Sequence, residues 1–155
     1  MKIVVLAKSA ALCLVAILFA GCLSLEQRYA NAAEEVISLI NSGNTEKLAE
    51  MTATPFLLDA EIILLPDDMK GFWRSIFEAG FSIDNAALTA SYEIDEKTHK
   101  EFGKSLEVES FFRKYVSKDG HIVVVATGDA KILLIMDRTK KKETKLIGFK
   151  GPVQS

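Results

Sequence analysis

Apolar residues recur along this chain with two periods, and the change from one to the other divides it. From Glu26 to Ile40 the apolar positions Tyr29, Ala33, Val36 and Ile40 fall three or four apart, with Glu34 and Glu35 opposite. That pattern predicts an amphipathic helix. Asn41-Ser42-Gly43 stops it, and Asn44 is placed to cap a second short helix with Leu48 and Met51 on its inner face. Pro66-Asp67-Asp68 opens the clearest helix, where Met69, Phe72, Trp73, Ile76 and Phe77 share one face and Gly80 ends the run. Trp73 reads as a core anchor there. A short helical stretch over 95–102 is interrupted by Gly103, and a second stripe follows in Val108, Phe111, Phe112, Tyr115 and Val116.

Elsewhere the period is two. Leu88, Ala90, Tyr92 and Ile94 alternate with Thr89, Ser91 and Glu93, which predicts a strand with one wet face. From His121 the chain reads as a meander: Ile122 to Thr127, a Gly128-Asp129 hairpin loop, Ala130 to Asp137, a turn over Arg138 to Glu143, and Thr144 to Phe149 before Gly151-Pro152. Phe56 to Leu65 has two readings. It is one strand with Asp59 and Glu61 on the outer face, or a small hairpin turning at Asp59-Ala60-Glu61, where Asp bonds its own backbone. Helices early and antiparallel strands late predict an α+β domain, its helices packed on one face of a curved antiparallel sheet.

Three phrases sharpen this. Pro55-Phe56-Leu57-Leu58-Asp59-Ala60-Glu61, the Phe72-Trp73 helix and the closing Leu146-Ile147-Gly148-Phe149-Lys150 resemble the nuclear transport factor 2-like superfamily, the α+β cone shared with ketosteroid isomerases. The resemblance covers most of residues 27–150. It implies a cone-like sheet that encloses a pocket, whose enzymes place an Asp or His base and a Tyr acid inside. The candidates for those roles are Asp59, Glu61, Tyr92 and His121. Paired carboxylates divide acid and base roles only when buried at short range. On a turn, Asp59 and Glu61 are simply solvated; Tyr92 reads as a core tyrosine and His121 as a turn residue. No catalytic set is expected.

The first 22 residues carry a different signal. Lys2 and Lys8 precede an uncharged apolar run over 9–20, and small Ala20 and Gly21 lead into Cys22. A membrane-spanning helix needs about 20 apolar residues, so this run is too short to be one. Phe19-Ala20-Gly21-Cys22 resembles the lipobox of bacterial lipoproteins, with Phe19 where Leu is commonest. The resemblance implies that the Cys22 thiol takes a diacylglycerol and that a leader of residues 1–21 is cut away. The expected organisation is then a lipidated tether over 22–26, a single domain over 27–150 and a tail over 151–155.

Charge and cysteine narrow the rest. The 155-residue chain has 19 basic and 21 acidic side chains; removal of the leader takes only Lys2 and Lys8, leaving 134 residues at net charge −4. An acidic domain is ill suited to nucleic acid. Cys13 leaves with the leader and Cys22 is capped by lipid, so disulfides, cysteine nucleophiles and cysteine metal sites are excluded. Two distant histidines, His99 and His121, make no metal site, and no phosphate-binding or nucleophile-elbow motif appears, so no cofactor is expected. Lys140-Lys141-Lys142, with Arg138 and Lys145, is the one basic cluster, read as a solvated turn whose lysines discourage edge aggregation.

The function expected is a cell-envelope lipoprotein held at the cell membrane or outer membrane through Cys22, its domain outside the cytoplasm. That domain is expected to be non-catalytic and to bind a protein partner or a small apolar ligand. The alternatives are a small cone-type enzyme with Asp59 or His121 as base, and an assembly lipoprotein that forms a homodimer through an open sheet face.

Overall fold

A computed structural model describes residues 23–154. Cys22 and the leader expected over 1–21 lie outside the described residues. Helix α1 spans Leu25–Ser42 and α2 Thr45–Met51. The Ser24 hydroxyl starts α1 by accepting from Gln27 N–H at 3.1 Å, a donor with no partner inside the helix. At its other end Gly43, at φ 69°, donates to Ile40 O while Asn44 N–H reaches Leu39 O. This left-handed stop suits glycine. Asn44 then caps α2, its Oδ1 accepting from Lys47 N–H at 3.2 Å. The first helix is thus longer at both ends than its apolar period implied, and the stretch expected as tether is helical from Leu25.

Strands β1, Thr52–Leu58, and β2, Glu61–Ile63, form a hairpin in which Leu58 faces Glu61. Of the two readings of Phe56 to Leu65, the hairpin is therefore the observed one. Helix α3 follows at Pro66–Glu78, then β3 at Ala87–Glu93, α4 at His99–Phe102 and α5 at Leu106–Tyr115. The meander of β4, His121–Thr127, β5, Ala130–Arg138, and β6, Thr144–Gln154, completes the order.

All six strands share one sheet in the order β2-β1-β6-β5-β4-β3. Its neighbours run antiparallel except β1 and β6, which run parallel. The antiparallel sheet expected from sequence is thus a mixed one. After α3 the chain re-enters at the far edge, and the meander steps back until β6 meets β1 running the same way. The last strand is also longer than expected. Lys131 pairs Val153 and Leu133 pairs Lys150, so one residue of β5 faces two of β6 and the strand passes through Gly151-Pro152. Residues 151–154 belong to the sheet rather than to a tail.

The helices occupy both faces of the sheet, which corrects the one-face expectation. On the first face α1, α2 and α3 bring Tyr29, Val36, Leu48, Met69 and Trp73 onto Phe56, Val123, Leu134 and Phe149. On the second, α4 and α5 bring Phe102, Val108, Phe111 and Phe112 onto Leu57, Ile122, Leu133 and Ile135. The physical reason lies in the central strand. Ile132 to Asp137 is buried at six consecutive positions, and a strand buried on both sides must be covered on both sides. The open face that a homodimer reading requires is the one that α4 and α5 cover. Each fully buried large side chain adds about 1.5–3 kcal/mol of transfer free energy, so neither layer is incidental.

Strand β3 departs from simple alternation as well. Leu88 pairs Val125 and Ala90 pairs Val124, so Thr89 is the extra residue of a bulge. Leu88 packs with the first core and Tyr92 with the second, because one inserted residue exchanges the two faces.

Candidate functional site

The residues singled out from sequence fall into three separate places. Asp59 sits at the β1–β2 turn with φ 52°, a left-handed conformation that Asp tolerates. Its N–H donates to Phe149 O at 2.8 Å and its Oδ1 accepts from Gly151 N–H at 3.0 Å. The carboxylate therefore ties the hairpin to β6. Glu61, two residues on, is exposed on β2. Tyr92 is half-buried on the second face, where its hydroxyl donates to Glu101 Oε2 at 2.7 Å. Burial pushes this phenol far above the usual tyrosine range, and the bond to the Glu101 carboxylate adds to the shift.

His121 lies on the other side of the sheet. It is 7% exposed, and its ring stacks against Tyr29 of α1 at 4.9 Å between centroids. Both side chains turn to one carbonyl: Tyr29 OH donates to Asp119 O at 2.8 Å, and His121 Nδ1 lies 3.1 Å from the same oxygen. A carbonyl only accepts, which places the ring proton on Nδ1. Burial, with the Asp137 carboxylate second, pushes the Tyr29 phenol up to about 12. Asp137 is itself 4% exposed and fully engaged: its oxygens accept from Ser117 N–H, Ser117 Oγ and Arg138 N–H, each at 2.6 Å. These bonds fix the loop that feeds β4.

The four candidates are thus not assembled in one cavity. Tyr92 and His121 stand on opposite faces, and Asp59 and Glu61 belong to the β1–β2 hairpin. The basic cluster divides too. Lys145 Nζ folds back to donate to Glu50 O at 2.7 Å, and Arg138 is half-buried, leaving Lys140, Lys141 and Lys142 exposed on the β5–β6 turn.

A spacious opening lies elsewhere, between α2 and α3 over the start of β1. It is a cleft of about 660 Å³, within the range of about 300–1,000 Å³ typical of small-molecule sites. Ala49, Ala53, Pro66 and Met69 supply apolar lining, Thr45, Thr52 and Thr54 hydroxyls, and Glu46, Glu50, Lys70 and Arg74 charge. Thr52 is held firmly, its Oγ1 donating to Leu48 O at 2.7 Å and accepting from Trp73 Nε1 at 3.0 Å. Sequence reasoning placed Pro66 and Met69 in a helix but assigned none of these residues to a site. Their only linear signal is that Glu46 and Glu50, and likewise Lys70 and Arg74, stand four apart with the same sign.

Among the described residues no group of three or more His, Cys, Asp or Glu side chains is placed to hold a metal ion. No described helix is long and apolar enough to cross a membrane. No protein-family model matches the chain, and no curated protein matches it.

Proposed function

We propose that this protein is a lipid-anchored protein of the bacterial cell envelope whose α+β domain binds a ligand in the α2–α3 cleft without catalysing a reaction. The anchor rests on the charged start, short apolar run and Ala20-Gly21-Cys22 ending of the leader. Ser24 already caps α1, so a lipid on Cys22 would hold the domain close to the bilayer. One chain gives marginal attachment and two or more give stable attachment, at about 0.8 kcal/mol per buried CH₂.

The observation that carries binding over catalysis is the division of Tyr92 and His121 by the sheet, with Asp59 committed to Gly151. The kinship to the nuclear transport factor 2-like cone belongs to the same proposal. Register breaks in the β3–β4 and β5–β6 pairs bend a sheet toward a cone, and α1 to α3 lie together on one face. Tyr29, Phe56 and Trp73 fill the interior of that face, so the ligand is assigned to the α2–α3 cleft rather than to a central cavity.

Fractionation with mass spectrometry tests the anchor. The wild-type chain is expected in the membrane fraction, cut before Cys22 and heavier by its acyl groups. Cys22→Ala is expected to lose the lipid and, once freed of its leader, the membrane. A Cys22→Ala protein that is cut, unlipidated and still membrane-bound would overturn the anchor.

A further inference from the structure

The walls of the α2–α3 cleft carry an unusual charge arrangement. Glu46 and Glu50 stand one turn apart on α2, and Lys70 and Arg74 one turn apart on α3, all four lining the same opening. Like charges at that spacing weaken a helix. Glu50 lies in the last turn of α2, where the helix dipole disfavours an acid and the helix supplies no basic residue of its own; Lys145, from β6, reaches its backbone carbonyl. Pairing across the cleft would relieve both helices. It does not occur: Lys70 reaches Asp67 of its own helix at 3.9 Å, and among the described residues no ion pair joins α2 to α3. Between the charged rims lies the apolar surface of Ala49, Ala53 and Met69, beside a Thr52 hydroxyl locked by Trp73 and Leu48. Charges that break local helix rules without closing on each other mark a site kept open for a third party.

We infer that the cleft binds a dipolar ligand, its ammonium group against Glu46 and Glu50 and its carboxylate or phosphate against Lys70 and Arg74, where the planar Arg74 guanidinium suits a two-oxygen anion. This rests on the proposed role of the cleft as the binding site and names the ligand chemistry. Two sources supply that chemistry, a short peptide with free termini and an ethanolamine phosphate head group.

Calorimetric titration of the full chain in a non-ionic detergent tests it, with Ala-Ala-Ala and phosphoethanolamine as probes and the N-acetylated and C-amidated tripeptides as controls. Saturable binding of either dipolar probe is expected, and the one that binds identifies the source. If the tripeptide binds, blocking either terminus should weaken it at least tenfold. Glu50→Gln and Arg74→Gln should each weaken the bound probe at least tenfold with unchanged circular dichroism, since both side chains are exposed. No binding of either probe, or wild-type affinity in both variants, overturns the inference. Equal binding of a singly charged control, or of acetate or ethylammonium, also overturns it but leaves the cleft a binding site. Membrane retention through Cys22 is read separately, so failure here and failure of the anchor are distinguishable.

Discussion

Tyr29 shows how much one side chain settles. Its position on the inner face of the first helix was legible from the apolar period, but its partner Asp119 lies 90 residues away in sequence and was not. Burial that raises the phenol from 10.0 to about 12 makes stability pH-dependent in a defined window. The folded state holds the proton more tightly than the unfolded one. The contribution is therefore complete below pH 10.0 and is lost as pH rises toward about 12. Tyr29→Phe removes both the hydrogen bond and the titration. At neutral pH it is expected to destabilise by about 1 kcal/mol, the net worth of one such bond. Between pH 10 and 12 the variant should lose stability less steeply than the wild type. Urea unfolding of both proteins at pH 7, 10 and 11 measures the difference; parallel decline would show that Tyr29 is not the group that titrates. Asp59 repeats the pattern, since its turn was readable while the Gly151 bond required the fold; His121, read as a turn residue, instead opens β4 and is buried against Tyr29.

At the scale of elements, the α1–α2 junction makes the sharpest claim. Gly43 has φ 69°, and a Cβ there would fall on the Phe77 ring of α3. Gly43→Ala combines left-handed strain of roughly 1–2 kcal/mol with overpacking of about 1–3 kcal/mol. Phe77 is 52% exposed, so Phe77→Ala alone should cost little and should relieve the overpacking in the double variant. A double-mutant cycle by chemical denaturation is expected to show coupling of at least about 1 kcal/mol; additive effects would mean that the ring does not press on the junction. The stop at Gly43 was legible in Asn41-Ser42-Gly43, but the helix that closes over it was not. The same holds for the sheet. Local period and turn residues mark where an element starts and stops, whereas Thr89 becomes a bulge only through its register against β4. The cleft charges were visible as pairs four apart, yet nothing local says that two helices face each other across an opening.

For the whole molecule, the decisive feature is a sheet shared by two cores. The unbroken apolar runs Ile122 to Ala126 and Ile132 to Met136 already carried the signal that both faces are buried, because a strand with one wet face alternates. Sharing has an energetic consequence. The second core packs its helices on strands whose opposite side supports the first, so loss of one layer is expected to weaken the other. The chain has one tryptophan, Trp73, and it lies in the first core, where it reports on that layer alone. Val108 lies in the second core on α5, fully buried. Val108→Ala removes two methyl groups, at about 0.8 kcal/mol each plus a cavity term, so roughly 2 kcal/mol is expected. Under one cooperative transition that loss moves the denaturation midpoint read by Trp73 fluorescence as far as the midpoint read by far-ultraviolet circular dichroism, with an unchanged slope. If the two layers were independent, the Trp73 midpoint would stay at its wild-type value while the circular dichroism trace split into two steps. Coincident displacement of both probes would show that a change beneath α5 is felt in full beneath α3, through the strands they share.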